Sequence, residues 1–189
     1  MLVHIPAVLS PAQLQVFRKE LAAVQWSDGR GSAGYLSQQV KRNQQLPDNH
    51  PVAQQLGESI LRALNSNPQF VAAALPHKIL PPLFTCYSES ETYGRHVAGA
   101  NWPASGTPHR IRTDVSATLF LSDPESYDGG ELTIEDTFGP RSIKFPAGDL
   151  VLYPGTSIHS VKPVTRGMRL ASFFWIQIMV RDDHKRALL

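Results

Sequence analysis

Cysteine is nearly absent from the 189 residues: Cys86 stands alone, which excludes an intrachain disulfide framework and any zinc site built on several thiolates. Charge is scarce and balanced. Lys and Arg total 18 against 16 Asp and Glu, a formal net charge of +2, so the chain lacks the field of a general nucleic-acid or membrane-surface binder. No apolar run approaches the roughly 20 residues that a bilayer-spanning helix needs. The opening Met1-Leu2-Val3-His4-Ile5-Pro6 has neither the basic start nor the long apolar stretch of a secretory signal. These absences predict a cytoplasmic protein with no membrane partner and no nucleic-acid polymer to hold. What is present is core-forming material. Hydrophobic residues make up 42% against 18% charged, enough for a packed interior in a chain sized for one domain.

Two helical patterns open the chain. Ser10-Pro11 reads as an N-cap followed by proline at the first helical position, and Leu14, Phe17, Leu21 and Val24 recur at helical spacing behind it. Pro51 starts a second pattern over residues 51–66, with Val52, Leu56, Ile60, Ala63 and Leu64 on one side. Between them, residues 29–45 are rich in Gly, Ser and Gln and read as loop with one strand at most. From about residue 77 the texture changes to short β-branched and aromatic runs over 83–88, 92–97, 115–122, 131–135, 142–145, 149–153, 158–161 and 169–180. Asp128-Gly129-Gly130 and Pro146-Ala147-Gly148-Asp149 supply tight-turn chemistry between them. The pattern predicts a mainly β protein with flanking helices: an antiparallel jelly roll buttressed on one face by the N-terminal helices.

Three residues gain meaning together. His96 lies near the end of one predicted strand, His159 belongs to another, and Arg169 heads the longest apolar run. In a jelly roll, a histidine from the first half and one from the penultimate strand converge at one mouth of the barrel. An arginine on the next antiparallel strand points into the same cavity. Neutral imidazole suits ferrous iron, and a guanidinium grips a carboxylate through two parallel hydrogen bonds.

Around these residues stand Leu46-Pro47, Leu80-Pro81-Pro82-Leu83-Phe84, Arg112-Thr113-Asp114, Ser116-Ala117-Thr118-Leu119-Phe120-Leu121-Ser122-Asp123-Pro124 and Tyr127-Asp128-Gly129-Gly130-Glu131-Leu132. Pro146-Ala147-Gly148-Asp149-Leu150-Val151-Leu152-Tyr153-Pro154 and Pro163-Val164-Thr165-Arg166-Gly167 follow. With these segments the sequence resembles the iron(II)/2-oxoglutarate-dependent oxygenases, specifically the bacterial PKHD-type hydroxylases, over nearly its whole length. The resemblance implies a double-stranded β-helix of the cupin type over residues 77–189, supported by a helical region over residues 1–76 in one integrated domain. It implies iron(II), 2-oxoglutarate and dioxygen as cofactors, with His96 and His159 as iron ligands. Arg169 then matches the partner of the distal 2-oxoglutarate carboxylate, and Tyr87 a tyrosine that hydrogen-bonds the same cosubstrate.

One departure bears on the reaction. The family pattern is His-x-Asp, in which the carboxylate completes a facial triad, because residues i and i+2 of a strand share a face. Here the triplet is His96-Val97-Ala98, followed by Gly99. A methyl group cannot coordinate iron. Three readings follow: a weakened hydroxylase or an inactive sensing relative, replacement of the ligand by another carboxylate such as Asp114, or chloride in the vacant position. A change introduced at this position alone is a fourth, against which Gly99-Ala100-Asn101-Trp102 also departs from the family sequence. Alanine or glycine in place of this aspartate is the hallmark of the iron/2-oxoglutarate halogenases, to which the triplet is similar. That resemblance implies catalysis by His96, Ala98, His159 and Arg169, with Ala98 and Gly99 forming a chloride pocket. For the substrate, the expectation is a small molecule such as the purine deoxynucleotide dAMP, chlorinated at its 2′ position. Lys41, Arg42, Arg110 and Arg112 would form a cationic rim, and Trp102 would stack on the base.

Overall fold

The computed structural model describes residues 2–103, 108, 110–136 and 139–180, so residues 181–189 of the expected core lie outside the described residues. A short strand, β1 (Val3–Ile5), precedes helix α1 (Pro11–Ala22). Ser10 caps that helix reciprocally: its hydroxyl accepts from the Gln13 N–H at 3.3 Å, and the Gln13 side chain accepts from the Ser10 N–H at 2.9 Å. The chain continues through β2 (Ser27–Asp28), a 3-10 turn (Gly29–Ser32), α2 (Tyr35–Gln38), β3 (Lys41–Arg42) and β4 (Gln44–Gln45). Helices α3 (Pro51–Asn65) and α4 (Pro68–Ala74) follow, then β5 (Pro76–Ile79), β6 (Leu83–Tyr87) and β7 (Thr92–His96). The second half contains β8 (Asn101–Pro103), β9 (Arg110–Arg112), β10 (Val115–Phe120), β11 (Tyr127–Gly129), β12 (Leu132–Asp136) and β13 (Gly139–Ile143). It ends with β14 (Leu150–Pro154), β15 (His159–Val161), β16 (Val164–Gly167) and the long β17 (Arg169–Ile178).

Two antiparallel sheets form the jelly roll. The larger runs β1-β14-β10-β17-β6-β4-β2, with β5 also paired to β17; the smaller runs β13-β12-β15-β7-β3. Period-two alternation along β10 shows how they are filled. Val115, Ala117 and Leu119 join the core beneath the helices, whereas Ser116 and Thr118 line the space between the sheets. The helix-side core includes Phe17 and Leu21 of α1, Leu56, Ile60 and Leu64 of α3, Phe70 of α4 and Phe174 of β17. Ile60 is fully buried there, so truncating it to alanine would cost about 2–5 kcal/mol. A second cluster between the sheets gathers Tyr87, Phe120, Leu132, Val151, Tyr153 and Val161.

The expected stripe on α1 is buried at Leu14, Phe17 and Leu21, while Val24 lies beyond the helix and packs against the same core only in part. Residues 1–76 do more than support. They supply β1, β2 and β4 to the larger sheet and β3 to the smaller, so the expected loop at 29–45 carries short sheet-forming pieces instead of one strand at most. Helix α4 and strands β5, β8, β9, β11 and β16 also add to the sequence expectation. Gly129 shows why the Asp128-Gly129-Gly130 turn needs glycine: its φ is +71°, and a Cβ there would lie 2.0 Å from the Pro163 carbonyl oxygen.

Candidate metal centre

His96, the last residue of β7, stands directly opposite His159, the first residue of β15, and their ring centroids are 4.2 Å apart. Each ring is tethered in the same way. His96 Nδ1–H donates to the Gly94 carbonyl at 2.8 Å, and His159 Nδ1–H donates to the Ser157 carbonyl at 3.0 Å. Carbonyls only accept, so both imidazoles are set as the tautomer that leaves Nε2 with a free lone pair, as a metal ligand requires. Tyr93 stacks on His96 with centroids 3.5 Å apart, and Tyr153 meets His159 edge-on at 5.1 Å. Burial, together with the neighbouring His159, pushes His96 down to about 3; burial also lowers His159. Both rings are therefore neutral nitrogen donors near neutral pH.

The two histidines open onto a cavity of about 600 Å³ between the sheets. Arg169 enters it from the start of β17 and is 2% exposed. Its guanidinium carbon lies 5.3 Å from the Tyr87 ring and 5.6 Å from the Phe120 ring, while its Nε is buried with no hydrogen-bond partner. Tyr87 sits opposite Arg169 in the β6–β17 pairing; burial raises its phenol and the Arg169 charge opposes that rise. A buried cation with an unspent donor is costly on its own and is suited to an incoming carboxylate. The donor chemistry thus fits a divalent metal held by two nitrogens and an anionic cosubstrate held by Arg169 and Tyr87.

It does not supply a third protein ligand. Among the described residues, no group of three His, Cys, Asp or Glu side chains is placed to hold a metal ion. Ala98, half-buried, lines the cavity just beyond His96, and exposed Gly99 follows it. A Cβ built on Gly99 would meet nothing closer than the Asn101 carbonyl oxygen at 3.9 Å, so this stretch is open. Asp114 is committed elsewhere. Its carboxylate pairs with Arg112 at 3.0 and 3.1 Å and accepts from the Ile178 N–H at 3.0 Å.

The expected cationic rim breaks up. Lys41 and Arg110 line the cavity, but exposed Arg42 lines only a neighbouring polar groove, which Lys41 also borders, and Arg112 is held by Asp114. Alternation along β3 explains the first split: Lys41 is buried and Arg42, one residue on, is exposed. Arg110 bonds Asn101, and Trp102 stacks on Trp175 with centroids 4.8 Å apart at the cavity wall. The structure adds wall residues that pattern reading missed. Asn43 and Ser116 are 4% and 2% exposed, and their side chains interact with the phenols of Tyr87 and Tyr153 respectively. No sequence signal marks either one, because both read as ordinary polar residues in a short strand or an apolar run.

Comparison with known proteins gives the family. Residues 82–177 match the family model described as the 2OG-Fe(II) oxygenase superfamily. A PKHD-type hydroxylase of Parvibaculum lavamentivorans is 54% identical over the whole chain and 84% of its own length, and one of Pseudomonas putida is 52% identical over the same shares. Among solved structures, a Pseudomonas putida prolyl-4-hydroxylase superposes with a TM-score of 0.64 at 19% identity, covering 95% of this chain and 93% of that one. HygX from Streptomyces hygroscopicus, bound to nickel, 2-oxoglutarate and hygromycin B, gives 0.63 at 17% identity, covering 94% and 83%. These two likenesses concern the fold; the matched family model and the full-length relatives carry the assignment. With its paired imidazoles and buried arginine on the matched strands, the chain belongs to the 2OG-Fe(II) oxygenase superfamily and is a homologue of its PKHD-type hydroxylases.

Proposed function

We propose that this protein is an iron(II)/2-oxoglutarate-dependent halogenase acting on a small molecule. The observation that carries the reading is Ala98 where the third ligand belongs, with no other described carboxylate brought to the cavity. Bound iron, with 2-oxoglutarate and dioxygen, supplies the oxidising power to break a substrate C–H bond. His96 and His159 hold that metal through Nε2, each kept in the ligating tautomer by its own backbone carbonyl. Arg169 and Tyr87 hold the distal carboxylate of 2-oxoglutarate and fix its orientation. Ala98 and Gly99 leave room for a chloride, which carries the same charge as the aspartate it replaces. Substrate, chloride, a proton, 2-oxoglutarate and dioxygen become chlorinated product, succinate, carbon dioxide and water, so a C–H bond is exchanged for C–Cl.

A second reading, hydroxylation, is favoured by a different observation: full-length relatives above 50% identity are named hydroxylases. Mass spectrometry of reactions run first in chloride and then in bromide separates the two. The halogenase reading expects a product that carries whichever halide is supplied. An oxygenated product that forms equally without halide would establish the hydroxylase.

A further inference from the structure

Lys41 is not among the residues assigned above to iron or 2-oxoglutarate, yet it is a buried charge in the wall of the same cavity. It is 2% exposed, and its ammonium lies 5.3 Å from the Tyr93 ring and 5.7 Å from the Phe173 ring. Its hydrogen bonds go to neutral atoms, the Ser32 hydroxyl at 2.7 Å and the Gln45 side-chain oxygen at 3.1 Å. An ammonium has three donors, so one is left over. The carboxylate that acts on it from a distance, Asp28, is already paired with Arg30 at 2.6 Å. Lys41 borders two spaces: the neighbouring groove carries Asp28 and Glu91, whereas among the described residues lining the cavity between the sheets there is no Asp or Glu, and Lys41, Arg110 and Arg169 are cationic.

An ammonium taken out of water without an anionic partner is expensive, and an incoming anion would supply the missing charge. With Arg169 assigned to the cosubstrate in the reading above, Lys41 is the buried cation of this cavity left without an assigned anion. The wall beside it is aromatic: Tyr93 and Phe173 flank the ammonium, and the stacked Trp102 and Trp175 face the same space. We propose that Lys41 is the oxyanion-binding residue of the substrate cavity, so that the substrate carries a phosphate-ester or carboxylate group on a flat, largely apolar body. The assignment rests on the reading of this cavity as the oxygenase substrate site, but not on the identity of the atom transferred.

Binding without turnover tests it. Protein loaded with iron(II) and 2-oxoglutarate under argon, without halide, is titrated by calorimetry with three probes. They are deoxyadenosine monophosphate, the adenosine 5′-carboxylate analogue and neutral deoxyadenosine. The wild type should prefer at least one anionic probe to the neutral one, and the two anionic arms tell phosphate from carboxylate recognition. In Lys41→Met that preference should fall by about 10- to 100-fold, and Lys41→Arg should restore most of it. Because the readout is a ratio of affinities on one protein, partial misfolding of a variant does not imitate the effect. Equal binding of charged and neutral probes by the wild type overturns the proposal. So does an unchanged ratio in Lys41→Met, or a loss of 2-oxoglutarate affinity in its place. A positive ratio with a halide-independent product would keep Lys41 and discard the halogenase.

Discussion

His96 and His159 are cross-strand partners, and each is tied by Nδ1 to the carbonyl two residues before it. A direct pairing of adjacent strands brings the two rings within 4.2 Å although they are far apart in sequence. The metal centre is therefore only as good as the β7–β15 register, which is irregular between His159 and Val161.

Loss of either imidazole should remove the metal site, since two nitrogens are all the described protein offers. His159→Ala is expected to weaken iron(II) binding by more than the 10- to 100-fold that outer-shell changes typically cost. Anaerobic calorimetry with iron(II) measures this directly. Retained binding within about threefold of wild type would mean that other groups hold the metal.

Ala98→Asp should rebuild the family's facial triad. The substitution places a carboxylate two residues after His96, at a half-buried position already lining the cavity. Iron(II) affinity should rise, and on the halogenase reading proposed above halide should disappear from the product mass in favour of oxygen. Continued incorporation of bromide by this variant would show that the halide sits elsewhere.

Arg169→Met separates structure from cosubstrate binding. The arginine is buried with Nε unpartnered, so an apolar side chain of similar length should leave the ligand-free protein about as stable as wild type. What should vanish is the stabilisation by 2-oxoglutarate, which for the metal-loaded wild type amounts to about 2.7 kcal/mol at a ligand concentration 100 times Kd. Urea unfolding with and without 2-oxoglutarate reads both quantities. A large ligand-induced shift in the variant would place the cosubstrate away from β17.

The buried ammonium predicts a pH signature. Burial, opposed by Asp28, lowers Lys41 from 10.5 to about 8. Between those values the unfolded chain binds more protons than the folded one, so this residue's contribution to stability rises with pH across that window. Its penalty, about 3 kcal/mol, is fully present below the folded value and relieved above the unfolded one. Tyr93 and Cys86, both pushed up to about 12 by burial, act in the opposite sense at high pH. The difference between wild type and Lys41→Met cancels those terms. Urea midpoints of the two proteins, compared from pH 7 to 10.5, should move in favour of wild type; a flat difference would mean the ammonium is not desolvated.

The reach of sequence reading varied with the length of the feature. Helices α1 and α3 were legible because caps, an N-terminal proline and several turns of apolar spacing all agree. The long β17 was legible because ten residues rich in apolar and aromatic side chains form one extended run. Strands β2, β3 and β4 have two residues each, too few for any periodicity, and their pairing partners are remote in the chain. The burial of Asn43 and Ser116 in the cavity wall had no signal, since burial of a polar side chain is a property of its surroundings.

Sequence alone determined the chemical inventory: two histidines, an arginine, a tyrosine, and alanine two residues after the first histidine. These are covalent facts that no packing can change. Only the tertiary structure decided which of Lys41, Arg42, Arg110 and Arg112 face the cavity. It also committed Asp114 to the Ile178 N–H, outside the cavity lining, and it left Lys41 buried without a carboxylate bonded to it. The reason is that side-chain chemistry is local, whereas burial and charge pairing depend on strand register and on neighbours brought from elsewhere in the chain.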